Sequence, residues 1–554
     1  MLYCPYEPDR DHTGRKAGKG VQGCMKGRKK FYTYFSLIAA AVYIALVVIL
    51  YCSESSRADS GIRTFGDAVW YSLVTLTTVG YGDLVPVTPL GHAVGIVFLF
   101  LATGIMVTLL GAVMSFITGE VMPLLLLGLQ REKNWYYFAD YGVESNALAV
   151  DICREDPEAV IIYGEKRGEH SETPDYPCFF MNTSLARIVA RKGDAGSRCK
   201  VFLMREDDIG VNSRAEHLTD LPVEVYARTT NGQDRLSGNI RFFDSYDCCA
   251  RQYWLTRPLC RGERTIVLIG FGKYARSILE RAILINVAAV DQCVQYHVFG
   301  EAEEFLALHH RLGEVFSIDQ EDDTRDSLIF HREFWGEQRS LLERADRIIL
   351  CEDEVQAGWS VFWDLKRYYR VHGRIDLRNN RKAPGIHCFG TNEEIYTLRN
   401  IMRADLNRAA IAINDLFRRD APFPTLDWDE LDDFLRQSKI VAADHLRMKV
   451  RFLLEDEALT DLSPAEVERA YRKYRETRSV ESLNEDYRRL DHMRWLRFYV
   501  FYNWSWGPVH DDGAREDPMI CPYEDLTPDQ KRKRDAAWEL LGRLPEELGG
   551  LGKL

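Results

Sequence analysis

Seven consecutive residues, Thr77-Thr78-Val79-Gly80-Tyr81-Gly82-Asp83, form the stretch of this sequence best suited to hold an ion. Two glycines flank a tyrosine, so the backbone can adopt left-handed or flattened conformations that turn successive carbonyl groups to one side. Four such strands around an axis would stack these carbonyls as rings of oxygen atoms, which can replace the hydration shell of a cation. The alternative interpretation is a glycine turn between two helices of a membrane bundle.

The segments on either side must position this stretch. Residues 64–77 predict a short amphipathic helix that begins near Asp67, too short to cross a bilayer and tolerated there only as a re-entrant helix buried in protein. Residues 31–52 are a charge-free block, about 33 Å long as a helix and therefore able to cross the hydrocarbon core. Residues 90–117 are a second apolar block, which can span with tilt or continue beyond the membrane.

The charges around the first block predict its orientation. The block is too long for a cleaved signal peptide and a second span follows, so we interpret it as a membrane helix. The basic residues before it are Arg10, Arg15, Lys16, Lys19, Lys26, Arg28, Lys29 and Lys30, against Glu7, Asp9 and Asp11. This excess predicts a multi-pass protein of the inner (plasma) membrane with both termini in the cytoplasm.

The run from Ala68 to Asp83, Ala-Val-Trp-Tyr-Ser-Leu-Val-Thr-Leu-Thr-Thr-Val-Gly-Tyr-Gly-Asp, resembles the potassium-channel pore family. The resemblance implies a homotetramer in which the short helix directs its C-terminal dipole toward a central cavity. It implies a selectivity filter of Thr78, Val79, Gly80, Tyr81 and Gly82, with K⁺ bound at the first four.

Residues around the filter carry further expectations from the resemblance. Family members often hydrogen-bond an indole at the position of Trp70 to the aspartate at the position of Asp83, and some carry a glutamate where this chain has Val74. Gly104, in the second block, is either the bending point of an inner pore helix or a close-packing glycine. No arginine ladder precedes the pore, so voltage sensing by gating charges is not expected.

The predicted orientation places the remainder of the chain in the cytosol, and its length, charge and cysteine content limit what it can be. The 554 residues correspond to about three or four domains. A formal net charge of -12 argues against a nucleic-acid partner. Thirteen cysteines are scattered without zinc-ligand spacing, and disulfides are not expected in that compartment.

Residues 131–421 predict two Rossmann-like α/β halves, because short strands alternate with helices. Strands are expected at 135–139, 159–163, 200–204, 223–226 and 240–243 in the first half, and at 265–269, 294–299, 347–350 and 386–389 in the second. The first half lacks a glycine fingerprint. A pore followed by paired Rossmann folds resembles channels that carry regulators of potassium conductance, which implies a cytosolic gating ring by analogy.

The second half carries Gly270-Phe271-Gly272-Lys273-Tyr274-Ala275 directly after a strand. A G-x-G-x-x-A string between a strand and a helix is typical of a dinucleotide site, formed here by Gly270, Gly272 and Ala275. Glu301 or Glu303 would contact the ribose, although both lie further along the chain than the usual spacing. A tight strand-to-helix turn without a ligand explains the string equally well.

Residues 422–554 predict a mainly α-helical module with an aromatic and basic cluster. The strings Trp504-Ser505-Trp506-Gly507-Pro508 and Pro522-Tyr523-Glu524-Asp525-Leu526 resemble the RyR domain, over residues 463–541. Aromatic faces can stack a base and arginines can pair with phosphate. The candidate ligand residues are Arg436, His445, Lys449, His492, Arg494, Trp495, Trp504, Trp506 and Tyr523; the alternative is that they are core residues.

The sequence thus predicts a multidomain chain. Its expected parts are a basic segment (1–30), an all-α two-span pore module (31–130), two α/β Rossmann-like domains (131–260 and 261–421) and the RyR-like domain (422–554). The main hypothesis is a potassium channel gated by a nucleotide, cyclic dinucleotide or NAD-type ligand, without catalysis. A membrane-tethered nucleotide sensor that does not conduct and an NAD-dependent membrane-anchored enzyme remain as alternatives.

Overall fold

The computed structural model describes residues 41–165, 174–181, 183–192, 198–205, 218, 221–229, 236–237, 239–420, 426–459 and 462–545. The chain divides into two compact units, one ending at Met122 and the other beginning at Pro123. The basic segment 1–30, the first part of the block at 31–52 and the proline-containing boundary at 421–424 lie outside the described residues.

The first unit is helical. Its helices are α1 (Ala41–Glu54), α2 (Phe65–Leu76) and α3 (Pro89–Phe116), and a π-helical turn (Ile117–Val121) continues α3. Helix α3 begins at Pro89, whose missing N–H costs nothing in the first turn, and the Thr88 side chain accepts the Gly91 N–H. By length and composition α3 could cross a membrane, and the described part of α1 is a shorter apolar helix.

A small apolar core joins the three helices. It consists of Val47, Leu50, Ile62, Ala68, Val94 and Phe98. Many large apolar side chains of α3 remain exposed, for example Leu99 at 63% and Phe100 at 76%. Exposed apolar surface of this extent marks a face that contacts lipid or another chain.

Helix α4 (Met122–Gly128) begins at the last residue of the first unit, and the first sheet follows it in the chain. Its strands are β1 (Trp135–Phe138), β2 (Val160–Tyr163), β3 (Cys178–Phe180), β4 (Cys199–Leu203), β5 (Glu224–Thr229), β6 (Leu236–Ser237) and β7 (Ile240–Asp244). Its helices are α5 (Val143–Glu155), α6 (Leu185–Lys192) and α7 (Ser245–Thr256). The strand order is β3-β2-β1-β4-β5-β7-β6, parallel except for the β6–β7 pair.

The second sheet repeats this plan with parallel strands in the order β10-β11-β9-β8-β12-β13-β14. The strands are β8 (Thr265–Ile269), β9 (Gln295–Phe299), β10 (Ser317–Ile318), β11 (Ser327–His331), β12 (Arg347–Leu350), β13 (Arg374–Arg378) and β14 (His387–Phe389). The helices are α8 (Lys273–Ile285), α9 (Glu303–Leu308), α10 (Arg339–Arg344), α11 (Val355–Tyr368), α12 (Asn392–Ile395) and α13 (Leu398–Ile401). The two parallel α/β folds predicted from the sequence are confirmed.

The C-terminal part is α-helical with short irregular connections. Its helices are α14 (Arg408–Asp420), α15 (Asp433–Asp444), α16 (Leu446–Leu454), α17 (Pro464–Thr477), α18 (Glu481–Phe501), α19 (Pro528–Lys533) and α20 (Ala536–Glu539). Helices α15 and α16 meet at His445, which ends the first and precedes the second. Asp432 caps the first of them by accepting the Leu435 N–H.

The apolar core of the second unit extends from the sheets into these C-terminal helices. Val441, Met448 and Phe498 share one apolar cluster with the sheet residues Phe202 and Leu268. A second cluster joins Val287, which follows α8, to side chains of α14–α18. The C-terminal helices are therefore packed onto the α/β folds and are not a separate body.

Candidate functional site

Helix α2 ends directly at the glycine-bearing stretch. Its N-terminus carries a capping box, in which the Thr64 hydroxyl accepts the Asp67 N–H and the Asp67 carboxylate accepts the Thr64 N–H at 2.7 Å. The helix predicted over 64–77 is thus present at Phe65–Leu76, and its first turn is fixed by the aspartate that the sequence singled out.

The backbone of the following loop has an unusual conformation. Thr78, Gly80 and Gly82 have φ values of 61°, 58° and 74°. This left-handed region is rarely adopted by residues other than glycine. The N–H groups of Val79 and Gly80 both donate to the Val74 carbonyl, at 3.0 and 3.3 Å. The loop is therefore held to α2 through its amide groups.

The carbonyl groups of the same loop differ from its amide groups in their hydrogen bonding. Within the described residues, no hydrogen bond is made to the carbonyl oxygens of Thr78, Val79, Gly80 or Tyr81. The loop is exposed, with Val79 at 52% and Tyr81 at 69%, and a Cβ added at Gly80 or Gly82 would meet nothing within 4 Å. These carbonyl oxygens are free to coordinate a cation.

Trp70 and Asp83 support the loop from the side. The Trp70 indole Nε1 donates to the Asp83 carboxylate at 2.9 Å, and the Trp70 and Tyr81 rings stack with centroids 6.2 Å apart. This is the hydrogen bond that the pore resemblance implies. Val74, where some pore sequences carry a glutamate, is buried and contributes its carbonyl to the loop amides.

Glu54 is a structural residue that the sequence reasoning missed. Its fully buried carboxylate accepts hydrogen bonds from the Thr88 hydroxyl at 2.6 Å, the Thr88 N–H at 2.9 Å and the Val87 N–H at 3.0 Å. It therefore ties the end of α1 to the start of α3. A lone acid at the end of an apolar block was the available signal.

Gly104 lies within the uninterrupted helix α3. Its carbonyl accepts the Thr108 hydroxyl at 2.6 Å, and a Cβ added there would meet nothing within 4 Å. Among the described residues of one chain the glycine therefore serves no close packing, and its role as a bending point stays a prediction.

The glycine-rich turn of the second sheet is crowded. Gly270 has φ 89°, and a Cβ there would lie 3.0 Å from the Cys351 carbonyl oxygen and from the Glu352 carboxyl carbon. A Cβ on Gly272 would overlap the Asp353 carboxylate. Ala275 is fully buried in α8.

Acidic side chains thus occupy the position next to the N-terminus of α8. Burial, followed by the charges of Asp353 and Glu354, raises the pKa of Glu352 above its ordinary value. In a dinucleotide site this position belongs to the pyrophosphate, so the carboxylates oppose such a ligand. Glu301 is exposed, and its predicted contact with a ribose stays a prediction.

The structure brings some of the C-terminal candidates together. The Lys449 ammonium lies 2.7 Å from the Asp491 carboxylate, and the Arg494 guanidinium lies 4.0 Å from it. The His492 ring lies near two aromatic candidates, with its centroid 5.9 Å from that of Trp495 and 6.0 Å from that of Tyr523.

His445, His492 and Tyr523 are buried with protein partners. His445 Nε2 lies 2.9 Å from the Val287 carbonyl oxygen and His492 Nε2 lies 2.8 Å from the Cys521 carbonyl oxygen. Burial is the main cause that lowers the pKa of His445 to about 3, and the nearby cations lower it further. Burial also lowers the pKa of His492, to about 4. The Tyr523 hydroxyl donates to the Glu485 carboxylate at 2.6 Å.

Three candidates lie apart from this group. Arg436 donates to the Leu431 carbonyl at 3.0 Å. Trp504 is buried against Phe434, with ring centroids 5.3 Å apart, whereas Trp506 is 59% exposed. Ligand contact by the nine candidates stays a prediction.

Comparison with known proteins supports the pore assignment for the first unit. Residues 33–119 match a family model described as "Ion channel". The chain is 35% identical over 98 residues to a voltage-gated potassium channel of Aeropyrum pernix, covering 17% of this chain and 33% of that protein. The predicted resemblance of this segment to potassium-channel pores is confirmed.

Two further matches extend beyond the pore. The chain is 28% identical over 186 residues to the calcium-gated potassium channel TvoK of Thermoplasma volcanium, covering 32% of this chain and 53% of that protein. A solved structure of the GsuK channel bound to NAD is 9% identical, with a TM-score of 0.30, covering 66% of this chain and 82% of that one. The chain spans about a third of the length of the Aeropyrum channel and about half of the length of the Thermoplasma channel.

Proposed function

We propose that this protein is a homotetrameric potassium-selective channel of the inner (plasma) membrane, opened or closed by a nucleotide-type ligand that binds its cytosolic unit. The observation that carries the proposal is the backbone of the loop after α2. Thr78, Gly80 and Gly82 are left-handed, the Val79 and Gly80 amides are bonded to α2, and the carbonyl oxygens have no donors among the described residues.

Four copies are needed because one chain supplies only one strand of a carbonyl ring. The exposure of Val79 and Tyr81 and the exposed apolar side chains of α3 suit burial against other subunits and lipid. In the assembled pore, K⁺ would exchange its hydration water for the carbonyl oxygens of Thr78, Val79, Gly80 and Tyr81 and the Thr78 hydroxyl.

Gating would follow from differential binding. A ligand can shift the closed–open equilibrium only if it binds the two states with different affinity. The second unit follows in the chain directly after the helix that comes after the filter, so a ligand-dependent change there can act on the inner helices. Both termini would lie in the cytoplasm.

The alternatives have less support. An NAD-dependent enzyme needs a dinucleotide at the Gly270 turn, where Glu352 and Asp353 lie beside the glycines. A tethered sensor without conduction leaves the left-handed filter backbone unexplained.

Purified full-length protein in liposomes tests the proposal. We expect potassium flux that exceeds sodium flux, that depends on an added nucleotide, and that Gly80→Ala abolishes. Chemical cross-linking should yield a product of four chains of 63.9 kDa each. Flux that is absent under every nucleotide tested, or unchanged by Gly80→Ala, would remove the proposal.

A further inference from the structure

A buried group of charged side chains in the C-terminal helices contains more positive than negative charges. We call it the Asp491 cluster: Lys449, Asp491, Arg494 and Arg534. The Asp491 carboxylate lies 2.7 Å from the Lys449 ammonium, 4.0 Å from the Arg494 guanidinium and 3.8 Å from the Arg534 guanidinium. All four residues are buried.

Three cations therefore share one carboxylate. Burial lowers the pKa of Lys449, Arg494 and Arg534 despite the attraction of Asp491. Asp517 attracts Arg534 as well, but less strongly than Asp491 does, and its carboxylate accepts the Met519 N–H at 2.8 Å. Half-buried Lys439 adds a further positive charge near Arg494.

A second buried group of charged side chains in the same unit has equal numbers of positive and negative charges. Arg251 pairs with Asp444 at 2.8 Å, and Arg281 pairs with Asp247 and lies 3.4 Å from Asp444. Burial would lower the pKa of Arg251 and of Arg281, yet the two carboxylates raise the pKa of both above its ordinary value. Two cations and two carboxylates compensate one another there.

The Asp491 cluster and its neighbours also contain unpartnered polar atoms. Arg494 Nε and Nη1, Arg534 Nε, His445 Nδ1 and His492 Nδ1 are buried without a hydrogen-bond partner among the described residues. Buried polar atoms normally have partners, and leaving a donor unpaired costs about 1–3 kcal/mol. The two histidine Nδ1 atoms are acceptors, because each Nε2 faces a carbonyl oxygen. The two guanidinium groups have unused N–H donors as well as excess charge.

Aromatic rings border these donors. The Arg534 guanidinium lies 4.6 Å from the centre of the Trp495 ring, and the Trp495 and Tyr499 rings are 4.1 Å apart. Trp495, Tyr499 and Lys439 are half-buried, so the cluster approaches the surface beside them. Guanidinium donors next to aromatic faces suit a phosphate group attached to a planar base.

We propose that the Asp491 cluster binds a phosphate-bearing anion, with Arg494 and Arg534 as the donors. This rests on the proposed function in that the anion would be the gating ligand. The bound phosphate supplies the missing negative charge and accepts the unpaired N–H groups. The shared chemistry is the phosphate; a nucleotide would add a planar base beside the half-buried Trp495 and Tyr499 rings.

Thermal unfolding and equilibrium dialysis of the full-length protein in detergent test the site, with inorganic phosphate, pyrophosphate and ADP as probes. We expect at least one probe to bind and raise the Tm, and Arg494→Gln to weaken its binding about tenfold or more. The matched control, Arg472→Gln, removes a 68% exposed arginine side chain of α17 and should bind like the wild type. Tighter binding of ADP than of pyrophosphate would identify a nucleotide; the reverse would identify free phosphate.

The ligand-free Tm separates a binding role from a structural one. Because Asp491, shared with two other cations, compensates the buried charge of Arg494 only in part, Arg494→Gln should keep or raise the Tm of the ligand-free protein. A lower Tm without ligand, binding that Arg494→Gln leaves unchanged, or no binding of any probe to the wild type would overturn the inference. If Arg494→Gln does not fold, Arg534→Gln carries the same test with the same criteria. Binding without potassium flux would retain this site and remove the channel proposal.

Discussion

Two glycine-bearing loops of this chain lie in opposite surroundings: the loop after α2, which we propose as the filter loop, is open, and the turn after β8 is crowded. A Cβ on Gly80 or Gly82 would meet nothing within 4 Å, whereas one on Gly272 would overlap the Asp353 carboxylate. The filter glycines leave carbonyl groups free, and the Rossmann glycines let the chain's own acids pack close. A glycine pattern therefore indicates backbone freedom or close approach, and the neighbours decide which.

The largest expected effect is on the filter loop. Gly80 has φ 58°, and a side chain in a left-handed conformation costs about 1–2 kcal/mol in each copy. Gly80→Ala should therefore abolish potassium-selective flux in liposomes while leaving the thermal unfolding of the second unit unchanged. Retained selectivity would show that the loop does not need this conformation.

A side chain added in the turn after β8 should lower the stability of the protein. Gly272→Ala places a Cβ against Asp353, and overpacking of this kind costs about 1–3 kcal/mol. The Tm of the full-length protein should fall, with flux selectivity unchanged. Gly313→Ala is the matched control, because the nearest atom to its added Cβ lies at 3.9 Å. Equal Tm values for the two variants would contradict the crowding.

Removing the acid should make the two loops more alike. If the Asp353 carboxylate opposes a pyrophosphate, Asp353→Asn should strengthen NAD binding at the Gly270 turn by about tenfold, since like charges in contact are strongly unfavourable. Calorimetric titration of the wild type and the variant measures this. Tight NAD binding to the wild type that Asp353→Asn weakens would contradict this repulsion and support the dinucleotide prediction.

The smallest effect concerns the support of the filter. Trp70→Phe keeps a ring beside Tyr81 but removes the 2.9 Å hydrogen bond to Asp83, which is worth about 0.5–1.5 kcal/mol. We expect flux to persist with reduced potassium-over-sodium selectivity. Selectivity equal to that of the wild type in reversal-potential measurements would show that this bond does not support the filter.

Local patterns predict much of the fold. The strands at Thr265–Ile269 and Arg347–Leu350 are predicted to the residue because both contain short apolar runs. Strand β13 is missed because three of its five residues, Arg374, Asp376 and Arg378, are charged, which leaves no apolar run. The fully buried Asp376 is paired with Arg374 and accepts the Tyr253 hydroxyl, a contact between distant parts of the chain that no local pattern contains.

The two candidate sites also differ in whether their residues are close together in the sequence. The filter is one continuous string, so its residues and its Trp70–Asp83 support can be predicted. The Asp491 cluster assembles side chains from α16, α18 and the end of α19. The sequence predicts Lys449 and Arg494 as ligand residues, but Arg534 and the excess of charge emerge only when the helices pack together.

Recording of potassium current through the full-length protein in a planar bilayer, before and after addition of ADP to the cytosolic side, tests the central claim most directly. The account predicts a potassium-selective current that changes severalfold on addition of the nucleotide, and that loses this response in Arg494→Gln while keeping its selectivity. A current without preference for potassium over sodium, or no current under any condition, would contradict it.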